Sequence, residues 1–168
     1  FTGSNGLPTA SPDLNGNYWN NLGPVIQAVS NGTRLLNMIN TTNGATMVGV
    51  EFTSGGWQAN GLLNGGLLNP SAALLGALAV TNATVDYFFT QGTDTFKLTG
   101  LNTALVYNLE FFGTRATNQT RTTTYTVGGN SVSLTTSGTG IGAGGVNQNN
   151  NTTAVLRALA PNTSGEIP

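Results

Sequence analysis

The chain has 168 residues, a net charge of −1 and only 7% charged side chains, with no cysteine and no histidine. Without thiol or imidazole it has no disulfide, no sulfur- or histidine-held metal, and no Ser-His-Asp or Cys-His machinery. Five basic residues leave no footprint for nucleic acid and no cationic face for a membrane, and no run approaches the roughly 20 apolar residues of a membrane span.

One domain of this size buries roughly 70% of its unfolded surface, enough for a core that needs no staples. Its polarity comes from Asn, Thr, Ser and Gly, a neutral surface usual in secreted bacterial β-proteins, so the expected location is extracellular or at the cell surface. The first residue is Phe1 rather than Met, so the sequence is read as a fragment or as a chain that has lost a leader.

In chain order, residues 1–17 carry only Phe1, Leu7 and Leu14 as large apolar residues among glycines and prolines. They read as an extended N-terminal arm, with residues 18–168 as the folded domain. Tyr18 and Trp19 follow in YWNNL; the pair serves either as a sugar-stacking platform or as a lid packed over one end of the core. Residues 33–39 and 46–52 read as strands joined by a turn centred on Asn43-Gly44, where both central positions would take positive φ. Residues 55–61 read as a glycine-rich loop carrying Trp57, which either meets a ligand or packs.

Asn69-Pro70-Ser71 opens a short helix through 72–78 whose apolar residues run nearly all round, so it should be wedged against sheets or a neighbouring chain. Asp86 and Asp94 are the only acidic pair close in sequence, too few carboxylates for a calcium cage. No metal and no cofactor are expected. Residues 93–98 form a strand.

Residues 105–127, LVYNLEFFGTRATNQTRTTTYTV, alternate at both ends around a polar centre, which predicts a hairpin. Glu110 lies among aromatic residues with Arg115 and Arg121 within hairpin reach, so it reads as half of a structural ion pair with one of them. A general acid and base would need two carboxylates converging on a cleft, and no catalytic residue is expected. Gly128-Gly129 turns the chain into a strand from 131. The loop SGTGIGAGG lacks the lysine and the strand–helix flanks of a phosphate cradle. Residues 152–159 form a further strand, and 161–164 a turn toward Ile167.

The order YWNNL, NP.AALLG.LA, DYFFTQGTDTFKLTGL, YNLEFFGTRATNQTRTTTYTVGG, LTTSGTGIGAGG.N and L.PNTSGEI resembles a β-sandwich accessory module, jelly-roll or fibronectin-like, of secreted multidomain bacterial surface proteins. The resemblance covers residues 18–167. It implies an all-β antiparallel sandwich of about seven to nine strands with one short helix, and it brings no catalytic residues.

Relatives of that type open with a strand before YWNNL and continue past SGEI into another. At least one strand is therefore expected to be missing here, through a trimmed sequence or because another chain supplies it. A fold one strand short exposes a backbone edge. Strand addition between subunits covers such an edge, and head-to-tail addition propagates into a filament. The expected function is a non-enzymatic extracellular structural protein, a subunit of a surface filament or matrix whose partners are copies of itself. Phe1, Leu7, Leu14 and Ile167 are its candidate assembly residues. The alternative is a carbohydrate-binding accessory module using Tyr18, Trp19 and Trp57, with glycans as partners. Asn-x-Ser/Thr triplets at Asn31, Asn40, Asn82, Asn118, Asn150, Asn151 and Asn162 are candidate glycosylation positions.

Overall fold

A computed structural model of the chain describes residues 8–22, 28–61 and 64–168. The fold is all-β and antiparallel, with ten strands among the described residues. They are β1 (Ala28–Val29), β2 (Arg34–Leu35), β3 (Gly49–Phe52), β4 (Trp57–Asn60), β5 (Tyr87–Phe89), β6 (Phe96–Thr99), β7 (Tyr107–Phe111), β8 (Arg121–Val127), β9 (Asn130–Ser137) and β10 (Ala154–Leu159). They form four small sheets in the orders β1-β4-β5, β2-β3-β6, β10-β7 and β8-β9.

Alternation decides what each strand buries. In β2-β3-β6, Leu35, Val50, Phe52, Phe96 and Leu98 share one face; the first four pack with Leu22, Val29, Trp57 and Phe88 into a first core, and Leu98 packs into a second. The opposite face sets Arg34 across from Glu51, and Glu51 across from Lys97. Lys97 Nζ lies 3.7 Å from Glu51 and 2.8 Å from Glu166. A second core gathers Leu101, Leu156, Leu159 and Ile167 with Leu109, Phe111, Tyr125 and Val132. Phe96 and Phe111, 6.5 Å apart, join the two cores.

The expected hairpin over 105–127 does not form. Its two strands exist as β7 and β8, but β7 pairs with β10 and β8 pairs with β9. The polar centre is diverted: Thr114 Oγ1 donates to Asn149 O at 2.6 Å and Arg115 N to Thr136 O at 3.1 Å, so 113–120 crosses to the far side of β9. Glu110 consequently meets Thr153, whose hydroxyl donates to it at 2.6 Å, and no arginine pairs with it among the described residues.

Three local expectations are also corrected. Trp57 opens β4 instead of lying in a loop, because Ala59 and Asn60 pair with Phe88 and Tyr87 across from it. At Asn43-Gly44 only Asn43 takes positive φ; the turn is closed by Asn43 N donating to Asn40 O at 3.0 Å and by the Asn40 side chain accepting from Thr42 N and Gly44 N. The short helix α1 (Ala72–Leu75), extended by a 3₁₀ turn at Gly76–Leu78, starts after Ser71 and buries only Leu75 of its residues, so it is not wedged against the sheets of its own chain. A further single turn, α2 (Thr81–Thr84), follows.

Residues 8–22 are fastened through side-chain amides. Asn20 donates to Ile39 O at 2.7 Å and accepts from Ile39 N at 2.9 Å; Asn21 does the same with Thr9 at 2.9 Å each way. Each amide thus offers one donor and one acceptor in the geometry of a neighbouring strand.

Candidate functional site

The residues singled out from the sequence do not converge. Asp13 organises the loop that holds Trp19: its carboxylate accepts from Asn15 N at 2.8 Å, Asn17 N at 2.9 Å and Trp19 Nε1 at 2.8 Å. These bonds, the indole first, hold its pKa below the usual carboxylate value. Trp19 is therefore committed to its own loop, and Tyr18 N donates to Thr41 O at 3.0 Å. Trp57 stands elsewhere, edge-on to Phe52 at 5.4 Å and Phe96 at 6.0 Å, with Nε1 donating to Thr95 O at 3.3 Å.

Phe1 and Leu7 lie outside the described residues. Leu14 is fully exposed at the tip of the Asp13 loop, whereas Ile167 is 3% exposed and exchanges both backbone bonds with Leu98, at 2.9 and 3.1 Å. Of the candidate glycosylation positions, Asn31, Asn40, Asn118, Asn151 and Asn162 are exposed, and Asn82 and Asn150 are half-buried. Asp94 is spent on structure: Thr90 Oγ1, Ser54 Oγ and Gly56 N donate to it, which lowers its pKa and ties the loop before β4 to the loop before β6. Among the described residues no three acidic side chains gather to hold a metal.

What the structure brings together instead is a groove of about 330 Å³. One wall is β8, from Thr122 through Val127; the other is formed by residues 92–96 with Ile167 and Pro168. Leu109, Phe111 and Trp57 also line it. Six consecutive residues of β8 contribute although their side chains alternate between faces, so the groove runs along the backbone edge of the strand.

The chemistry of that edge follows from the turn beside it. Gly128 and Gly129, at φ of 55° and 86°, join β8 to β9 in a two-residue loop, the turn whose twist suits a hairpin. Such a turn makes Val127 and Asn130 the closing hydrogen-bonded pair. Going down the register, Tyr125–Val132 and Thr123–Leu134 are bonded in the same way, while Thr122, Thr124 and Thr126 stand in the alternate pairs.

Two observations agree with this parity. Side chains approach more closely in the alternate pairs, and Thr124–Ser133 and Thr126–Ser131 hydroxyls lie 2.9 and 2.8 Å apart, with Thr122–Thr135 at 3.3 Å. No turn, loop or side-chain bond engages the backbone of Thr122, Thr124 or Thr126 among the described residues. Three N–H and three C=O groups therefore point from β8 into the groove.

The inward face of the same strand supplies apolar contact. Tyr125 stacks on Phe111 with ring centroids 4.0 Å apart and planes 6° from parallel, and burial raises its phenol pKa above the usual value. Sequence reading missed Phe96, Phe111 and the threonines of β8 as site residues. The signal was present in RTTTYTV followed by GG, since a diglycine turn fixes which alternate residues face outward.

Compared with known proteins, the chain matches no family model, no curated sequence and no solved structure.

Proposed function

We propose that this chain is a non-enzymatic extracellular structural subunit that joins copies of itself head-to-tail, each accepting an extended strand from its neighbour along β8. The observation that carries this reading is the row of outward backbone groups at Thr122, Thr124 and Thr126 beside the groove. Only another extended backbone offers donors and acceptors at the spacing of a strand, about 6.6 Å between alternate residues. A net charge of −1 adds little repulsion between copies, and a chain without histidine or cysteine lacks the common reactive groups.

Thr124→Pro tests the reading. Its N–H faces the groove, so proline there blocks strand addition without removing a β8–β9 bond. Thr124→Lys, a charged residue on the edge, is the milder second variant. Sedimentation velocity and negative-stain microscopy should find assemblies for the parent chain and monomers for both variants, with unchanged circular dichroism. A parent chain that stays monomeric up to millimolar concentration overturns the reading.

A second reading, a carbohydrate-binding module, has one observation in its favour: Trp57 lines the same groove beside threonine hydroxyls. Glycan-array binding that disappears in Trp57→Ala while Thr124→Pro still binds would establish it.

A further inference from the structure

We infer that Asn60-Gly61 is a self-modification site, where the backbone closes onto a side chain to form a succinimide that water opens to isoaspartate or aspartate. Asn64 assists by holding the oxygen on which charge develops. The site lies at the end of β4 and is independent of the proposed strand addition.

The sequence contains six Asn-Gly steps, at Asn5, Asn15, Asn31, Asn43, Asn60 and Asn64. Each is chemically competent, because glycine has no side chain to hinder attack by its own backbone nitrogen on the preceding carboxamide. Asn5 lies outside the described residues. Exposure alone would favour Asn15, Asn31 and Asn43, all exposed, over the half-buried Asn60. The hydrogen bonds give the opposite order.

The nucleophile is the glycine nitrogen, which must shed its proton to attack. At three steps that N–H is tied to a separate acceptor: Gly16 N donates to Asp13 O at 3.0 Å, Gly32 N to Phe52 O at 2.8 Å and Gly44 N to Asn40 Oδ1 at 2.7 Å. Each of those bonds has to break before the nitrogen can attack its neighbouring carboxamide. Asn64 commits its carboxamide to Asn60 instead of to the glycine that follows it.

At Asn60 the reacting groups already meet. Gly61 N donates to Asn60 Oδ1 at 3.1 Å and has no other acceptor among the described residues. The carbon to be attacked is bonded to that oxygen, so nucleophile and electrophile are held together before reaction. Asn64 Nδ2 donates to the same Oδ1. Attack turns this oxygen into an oxyanion, and a donor already aimed at it lowers the barrier. Tyr87 braces the arrangement, pairing with Asn60 across β4 and β5 and donating from its hydroxyl to Asn64 O at 2.8 Å.

The reaction balances with water alone. Water or hydroxide takes the Gly61 proton, Gly61 N bonds to Asn60 Cγ, and the Cγ–Nδ2 bond breaks with Nδ2 leaving as ammonia. Water then adds to one ring carbonyl. Opening at Cγ gives aspartate, and opening at the backbone carbonyl gives isoaspartate. Either product adds a negative charge, and isoaspartate also lengthens the main chain by a methylene at the end of the strand that carries Trp57.

The full chain is incubated in mildly alkaline buffer, folded and in urea, and mapped by mass spectrometry with electron-transfer fragmentation. In the folded chain Asn60 should convert at least about tenfold faster than Asn15, Asn31 and Asn43, the rate equivalent of one hydrogen bond that must break. In urea the four should convert at similar rates. Hydroxylamine, which cleaves succinimides, should cut the folded chain between residues 60 and 61. Asn64→Ala should slow conversion at Asn60 about tenfold, with unchanged circular dichroism and unchanged rates at the other steps. Asn64→Asp, which keeps the size and replaces the donor by an acceptor, should slow it likewise and serves if the alanine variant does not fold. Folded-chain conversion led by Asn15, Asn31 or Asn43 overturns the inference, as does an unchanged ranking in urea, which would place the cause in local sequence. An unchanged Asn60 rate in a folded Asn64 variant overturns the assistance by Asn64.

Discussion

Asn149 shows how single residues hold this molecule without charge. It is fully buried, and its amide donates to Gly113 O at 3.0 Å and Thr152 O at 2.8 Å while accepting from Thr152 N at 3.0 Å and Thr152 Oγ1 at 2.8 Å. Asn149→Ala strands several of those groups in a site water does not reach. The expected loss is roughly 3 kcal/mol, checked by urea denaturation. Gly66 is a different constraint, since a Cβ there would lie 1.9 Å from Val85 O. Gly66→Ala should lower the melting temperature by roughly 5–10 °C in a calorimetric scan. Titration is confined to the extremes of pH. Asp13, Asp94 and Glu166 have depressed pKa values, through Trp19, Thr90 and Lys97 respectively, so their stabilisation is complete above the ordinary carboxylate range and is lost as pH falls through the folded values. Lys97 is raised by Glu166, and Tyr87 and Tyr125 by burial; their contribution is complete below the ordinary lysine and tyrosine values and is lost as pH rises through the raised folded values. With no histidine, the melting temperature should be flat from about pH 5 to about pH 9 and fall on either side. A step near pH 6–7 would contradict this.

Among the elements, strands were more legible than their partners. Period-two alternation located β7 and β8, the Asn43-Gly44 turn pointed to the strand that became β3, and the diglycine located the β8–β9 turn, because those signals are local. Pairing β7 with β10 depends on where Thr114 and Asn149 meet, 35 residues apart, and no local pattern records that. Trp57 was read as loop because Gly55 and Gly56 precede it, yet cross-strand partners at Phe88 and Tyr87 hold β4 in place. The parity assigned to β8 has its own test. Amide exchange followed by NMR at low concentration should alternate along the strand, with Thr123, Tyr125 and Val127 protected and Thr122, Thr124 and Thr126 exchanging freely. Uniform protection in dilute monomer would mean that the edge is already covered.

For the molecule as a whole, alternation and turn signals made the all-β character readable, and the lack of cysteine and histidine the want of common reactive side chains, but neither showed the groove. A groove is a relation between β6 and β8, and sequence reading had placed β8 against the wrong strand. Assembly through backbone groups carries little dependence on ionic strength, since Asp94 is the one charged side chain among the described residues that line the groove. Sedimentation in 0.05 M and 0.5 M salt should therefore give the same distribution; dissociation at high salt would point to an ionic contact instead. The fastening of residues 8–22 has a slower consequence. Asn20 and Asn21 grip Ile39 and Thr9 through carboxamide nitrogens, and hydrolysis of either amide leaves a carboxylate facing the carbonyl it once bound. The oldest molecules in a preparation should thus be the ones whose loop at residues 8–22 has come away, and their tryptophan emission, through Trp19, should report their age.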